Sequence, residues 1–483
     1  MDSSIDKAYD VRMDNVVNKD DAQLRMEGFS EGRGKAPAEV PREAAPAPCQ
    51  APVRLRTPER RQMEMVPRCL DDLVPPLHAV RQIAEVVEHL DVSAFGQPIK
   101  AREGVAGRDA TDPKLLVALW LHACVRGIGS ARELARQCQE NTACLWLLGG
   151  VTVNHRLLSD FRTDHGPALD QLFTQVIASL VDQGVVKVSR ISQDGVRVRV
   201  GAGASSFRRE ERLEKLLEEA KQHVKALREE LDSPAVRAQL TARERAARER
   251  AAKEKQERTE RALAQLPELK RRQEEAAQRA GQGERGEKIR EKPPRVSTTD
   301  AEARVMKMPN GGFNPAVNVQ VATDTASRAI VGVEVSNEGS DSAGLSAPMR
   351  QQVEERTQQA VKEHLMDGGY LKTGDIEAAH LQGVAVYVPP KPARNPQKRG
   401  RELEPKPGDS EAVRDWKQRM SSAQGKQIYQ QRASSSETVN ADLRTFRGLG
   451  RILVRGLAKA RCLALWSALA YNLMHFAPHL LGQ

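Results

Sequence analysis

The sequence predicts an α/β protein: a mixed sheet with helices, interrupted by a long charged helical hairpin and preceded by an all-α region. Three observations carry this. Apolar residues recur at helical spacing through 61–185; β-branched runs appear at 186–200, 316–322, 329–335 and 384–388; and 206–295 is built largely from Glu, Arg, Lys, Gln and Ala.

Residues 1–60 hold an Ala/Pro run from Lys35 to Pro52 and few large apolar side chains. Such a segment cannot offset its ordering entropy, so a flexible tail is expected. No basic stretch followed by an apolar core marks a secretory leader. Between 61 and 185 a helical domain is expected. Val80, Ile83, Val86, Val87 and Leu90 step by three and four, and Pro113 opens a second helix with Leu115, Leu116, Leu119 and Ala123 on one face. Gly127 and Gly129 end that helix. Ser130 with Glu133 reads as a capping box for the next, and Asn154 caps another carrying Leu157, Leu158 and Phe161. Arg126, Arg132, Arg136, Arg156 and Arg162 lie among these turns. They suit either a helix-turn-helix-like reader of DNA ends or the solvated face of an ordinary bundle.

A strand at 186–200 runs through Asp194 and stops at Gly201-Ala-Gly203; the third glycine of a dinucleotide-binding turn is missing. In the insertion, 206–295, Leu213, Leu217, Ala220, Val224, Leu227 and Leu231 form a heptad seam. Asp232-Ser-Pro234 breaks it. A second helix with Val236, Leu240, Ala247, Ala251, Ala262 and Leu266 then folds back to Pro267, giving a coiled-coil spacer or dimerisation arm. The α/β domain, 186–205 and 296–447, resumes with a hairpin at 316–322 and 329–335, a helix over 343–364, a strand at 384–388 and a polar loop at 391–411. In the final segment, 448–483, Arg451, Arg455, Lys459 and Arg461 alternate with leucines, so one face should pack and the other meet water or phosphate.

The chain of 483 residues carries 75 Lys and Arg against 65 Asp and Glu, a net charge of +10. That excess favours a polyanionic partner. The six cysteines include no Cys-x2-Cys pair, so zinc ligation is not indicated and reduced thiols in a cytosolic setting are expected. His475 and His479 have helical ligand spacing, but Pro478 lies between them. The apolar stretch from Cys462 to Met474 is too short for a membrane span and is interrupted by Ser467 and Asn472.

Three acidic residues draw the chemistry: Asp194 in Ser-Gln-Asp-Gly-Val, Asp367 in Met-Asp-Gly-Gly-Tyr, and Glu437 in Tyr-x2-Arg-x4-Glu-Thr-Val-Asn. Each has a purely structural alternative. Asp194-Gly195 could form a hairpin turn, Asp367-Gly-Gly369 a strand-to-helix turn, and Ser434-x-x-Glu437 a capping box. Jointly, three carboxylates at strand ends or helix starts of one α/β unit are the hard oxygen set that Mg²⁺ requires.

With these residues the chain resembles the DDE transposases of bacterial insertion sequences. The resemblance rests on Ser192 to Val198, the hairpin Phe313 to Gln320, Asn337 to Asp341, Asp367 to Tyr370 and Tyr429 to Asn440, with the helices from Asp112 to Arg162 similar to that family's amino-terminal domain. It implies an RNase H-like catalytic domain in which Asp194, Asp367 and Glu437 are the catalytic, metal-binding carboxylates for Mg²⁺ (or Mn²⁺), with two ions expected. It also implies DNA contacts for Tyr429, Arg432, Asn440, Arg444 and Arg447. Arg444 stands where the family usually has lysine, and a helix from about 435 would place Glu437, Asn440, Arg444 and Arg447 on one stripe. The partners implied are double-stranded DNA, as transposon ends and target, and a second copy of the chain; no membrane is expected, and the setting is the cytoplasm and nucleoid. The implied activity is metal-dependent cleavage at transposon ends followed by strand transfer. The alternatives are a catalytically inactive DNA-binding or scaffold protein derived from such an element, and a general nuclease without strand transfer. All of this requires the fold to gather the three carboxylates around shared ions.

Overall fold

Capping residues and apolar spacing set the first helices of the computed structural model, which describes residues 61 and 63–482 apart from 64, 66, 103, 105, 282, 341–343, 394 and 396–398. The expected tail, 1–60, and Asp341 lie outside the described residues. The helices are α1 (Ala79–His89), α2 (Ser93–Gly96), α3 (Pro113–Val125), α4 (Ala131–Glu140), α5 (Thr142–Leu148), α6 (His155–Asp164) and α7 (Gly166–Asp182). Asp112 accepts from the Lys114 N–H with Pro113 in the first turn, Ser130 accepts from Glu133, and Asn154 accepts from Arg156 and Leu157. The Glu133 carboxylate binds Arg136 and Gln137, so the Ser130 cap is one-sided. Gly127, at φ +69°, makes the turn after α3, where a Cβ would lie 3.1 Å from the Phe446 carbonyl oxygen.

Helix α3 was expected to bury one face, yet Leu116 to Cys124 are all buried because α1, α5, α6 and the C-terminal helix Leu457–Leu480 surround it. Nor does Arg162 join a solvated face. It is buried, with its guanidinium 4.5 Å from the centre of the Trp120 ring, and donates to the Gly129 carbonyl.

The chain continues through β1 (Arg190–Arg199) and β2 (Phe207–Arg208) into the insertion: α8 (Glu210–Asp232), α9 (Pro234–Gln239), α10 (Ala242–Ala264), α11 (Leu266–Ala280) and α12 (Glu284–Arg290). Helices α8 and α10 pack together through Leu213, Ala220, Val224 and Leu231 on one side and Ala252, Thr259 and Ala262 on the other. Ala247 and Ala251, expected in the seam, are exposed. Pro267, where the second helix was expected to end the hairpin, instead lies in the first turn of α11, and α11 pairs with α12, so the insertion is more than one hairpin. Its two ends are clipped together by β2 and β3 (Val296–Ser297), where Phe207 pairs with Ser297.

Next come β4 (Arg304–Lys307), β5 (Phe313–Asp324), β6 (Ile330–Ser336), α13 (Ser346–Thr357), β7 (Glu363–Met366), α14 (Thr373–Leu381), β8 (Ala385–Tyr387), α15 (Glu411–Ser421), α16 (Ala423–Arg432), α17 (Thr438–Thr445) and α18 (Leu457–Leu480). The sheet is mixed, as predicted: its order is β4-β5-β1-β7-β8, with β6 also pairing with β5. β1 runs antiparallel to β5 and parallel to β7, which is parallel to β8. Strand β4 was not anticipated, and the helix expected over 343–364 is the shorter α13 followed by β7.

The last helix, α18, corrects another expectation. Residues Cys462 to Leu473 are all buried, because α18 packs against α3, α6 and α7 as well as β6. Asn472, which interrupts its apolar run, donates to the Ile330 carbonyl (2.8 Å) and accepts from the Ile330 N–H (2.9 Å). Arg461 pairs with Asp170 of α7 and Glu334 of β6, a structural use of a cation expected at the surface.

Candidate active site

Two neighbouring parallel strands set the first two carboxylates side by side. Gln193 of β1 is in register with Met366 of β7, so the residues that follow them are Asp194 and Asp367. Adjacent strands lie about 4.8 Å apart. Asp194 is not in a hairpin turn: β1 continues past it, with Asp194 opposite Val321 and Gly195 opposite Gln320 on β5. Asp367 ends its strand and caps the 3₁₀ turn Gly368–Tyr370, its Oδ1 accepting from the Gly369 N–H at 2.6 Å. The turn reading of Asp367 is therefore correct as local structure.

Glu437 arrives from the other side. Helices α16 and α17 are joined by a π-helical turn, Ala433–Glu437, with no capping box and no new helix start near 435. Ser434 and Ser435 both donate to the Gln431 carbonyl, the back-bonding that distorts helices. The turn changes which residues face each other. Five residues along a regular α-helix lie roughly 140° apart, whereas a π turn brings i and i+5 together. Arg432 Nη2 accordingly donates to Glu437 Oε1 at 2.9 Å.

Two hydrogen bonds hold this helix on the sheet. Ser436 and Ser192 share one in the buried layer, and Arg190 donates to Gln431. Behind the sheet Gln193 Nε2 and the Tyr370 hydroxyl both donate to Gln320 Oε1, which fixes the turn after Asp367 relative to β1. Sequence reasoning missed this glutamine–tyrosine network, although Gln193 and Gln320, each in the middle of an expected strand, were its trace.

Asp194, Asp367 and Glu437 line one pocket, together with Asn440, Arg444 and Pro309. Asn440 Nδ2 donates to Asp194 Oδ2 at 3.2 Å, and Arg432 Nη1 lies 3.4 Å from the same oxygen. Burial works against the charge on Arg432, but Asp194, then Tyr429 and Glu437, outweigh it and raise its pKa. Tyr429, next to Arg432 and within the fields of Asp367 and Asp194, has its phenol raised chiefly by burial. Arg447 is turned away: it pairs with Asp442 and donates to the Val125 carbonyl, outside the stripe that an unbroken helix would have given.

The pocket stops short of the expected ready-made ion site. Among the described residues no three His, Cys, Asp or Glu side chains are gathered closely enough to hold one ion. The reason is local: the Glu437 carboxylate is turned to Arg432, and Asp194 accepts from Asn440 and Gly195. The donor chemistry nevertheless fits a hard divalent cation. All three groups offer carboxylate oxygens, and a guanidinium already neutralises two of them.

Residues 68–164 match the family described as Transposase domain (DUF772), and residues 281–473 match Transposase DDE domain. The second match spans Asp367 and Glu437; Asp194 falls between the two matched segments. No curated protein and no solved structure matches the chain. Among the described residues, no helix is long and apolar enough to cross a membrane.

Proposed function

On the premise that the chain belongs to the DDE transposases of insertion sequences, we propose that it cuts DNA at the ends of its element and joins them to a target. The observation that carries this is the register of β1 and β7, which leaves Asp194 and Asp367 as neighbours in a pocket shared with Glu437. These three residues would hold Mg²⁺ or Mn²⁺, a pair of ions that when bound polarise the attacking and leaving oxygens of a phosphodiester. The protein's own groups then supply position. Asn440 holds Asp194 Oδ2, the Gly369 N–H holds Asp367 Oδ1, and Arg444 stands exposed at the pocket for a DNA phosphate.

In the first step a water oxygen bonds to phosphorus and the P–O3′ bond breaks, leaving a 3′-OH and a 5′-phosphate. In the second, that 3′-OH attacks a target phosphorus and displaces the target's own 3′ oxygen. Two ends must be handled together, which favours a dimer. The test is incubation of the protein and Mg²⁺ with duplexes carrying the element's inverted ends and a plasmid target. Cleavage at the ends and covalent joining are expected, both abolished by EDTA. Cutting without joining would make the protein a nuclease, and binding without cutting a scaffold.

A further inference from the structure

Arg432 stands where a divalent cation would have to compete with it. Its side chain is only 15% exposed, and the guanidinium reaches two of the three pocket carboxylates: Nη2 to Glu437 Oε1 at 2.9 Å and Nη1 to Asp194 Oδ2 at 3.4 Å. The π turn makes this grip possible by placing residues 432 and 437 on one side of the helix. Glu437 is 58% exposed and free to swing, whereas Asp194 is 20% exposed and anchored in β1.

A hard cation needs the same carboxylate oxygens and repels a guanidinium held against them. We infer that Arg432 is a displaceable counter-ion: it keeps Asp194 and Glu437 neutralised in the metal-free protein, gives them up on metal loading, and then takes a phosphate of DNA lying in the pocket. This rests on the carboxylate reading above and adds a regulatory consequence. Metal and DNA each relieve the other's competition for Arg432, so each strengthens the binding of the other, and by linkage the two effects are equal. The protein would hold metal weakly until DNA arrives. A fixed Arg432 that merely positions the carboxylates makes the opposite forecast, because its removal would weaken the metal site.

The two are separated by titrating Mn²⁺ into the full chain and following free Mn²⁺ by electron paramagnetic resonance, with and without a short duplex. Arg432→Gln should bind Mn²⁺ at least about fivefold more tightly than wild type without DNA, and DNA should strengthen Mn²⁺ binding by wild type but hardly by the variant. Arg432→Lys, which offers a single charged nitrogen in place of the two that reach Asp194 and Glu437 separately, should fall between them. Equal or weaker Mn²⁺ binding by Arg432→Gln, or no effect of DNA on wild type, overturns displacement. Should Arg432→Gln fail to fold by circular dichroism, Arg432→Lys and the wild-type comparison decide on the same terms. Asp194→Asn guards the underlying reading: if it binds Mn²⁺ as wild type does, the carboxylate site itself fails. If it loses binding while Arg432→Gln gains none, only the displacement fails.

Discussion

Ser192 and Ser436, 244 positions apart, share a buried hydrogen bond of 2.5 Å that ties the strand of Asp194 to the turn that ends in Glu437. Neither serine has chemistry of its own to perform. Their bond fixes where the third carboxylate stands relative to the first two, so a defect there should reach both stability and activity. Ser436→Val leaves the Ser192 hydroxyl buried without this partner and is expected to cost about 1–3 kcal/mol in urea unfolding. The double variant Ser192→Ala/Ser436→Ala should cost less than the sum of its two single changes. Strict additivity would mean that the pair is not coupled.

The three carboxylates should fail individually. Asp194→Ala, Asp367→Ala and Glu437→Ala are each expected to abolish Mg²⁺-dependent strand cleavage, a loss of several orders of magnitude, while gel-shift binding of DNA stays near wild type. Cleavage at the wild-type rate by any one of them removes that residue from the proposed site.

Asn472 tests the role of α18 in the sheet. Its amide satisfies both the N–H and the carbonyl of Ile330 in a fully buried setting. Asn472→Leu keeps the branched shape and strands both backbone groups, at roughly 1–3 kcal/mol for each. A variant that melts with wild type would show that those groups find other partners.

His364, fully buried on β7, gives a pH dependence whose sign is fixed. Burial, with a smaller contribution from Arg350, lowers its pKa well below the ordinary histidine value. Below about pH 6.5 the unfolded chain takes up a proton that the native protein refuses, so stability falls as pH falls. In that window His364 contributes up to about 1.4 kcal/mol per pH unit. His364→Leu should flatten the slope of unfolding free energy between pH 6.5 and 5 by about one proton; an unchanged slope would contradict the assignment.

Much of this was legible in the residues because it depends on local rules. Asp112, Ser130 and Asn154 cap where their side chains can reach free N–H groups, and the valine-rich runs became β1, β5, β6 and β8. What escaped depends on contacts across the chain. Helices α6 and α18 carry polar or charged residues that suggest a wet face, yet Arg162, Asn472 and Arg461 find partners inside or at the edge of the fold. The π turn escaped because a triple serine before a glutamate reads equally well as a cap, whereas in the fold Ser434 and Ser435 bond back to Gln431 and Ser436 pairs with the distant Ser192. Arg447 escaped for a different reason: α17 ends at Thr445, so the helical stripe stops before reaching it and Arg447 folds back onto Asp442.

The most direct measurement of the central claim is localised backbone scission by Fe²⁺ and ascorbate in the presence of DNA, with Fe²⁺ standing in for Mg²⁺ and cutting the chain near wherever it binds. Cuts are expected at three distant segments, around residues 194, 367 and 437, and all three should fade together as Mg²⁺ is added. Cuts at only one or two of these segments, or cuts indifferent to Mg²⁺, would contradict a centre shared by all three carboxylates.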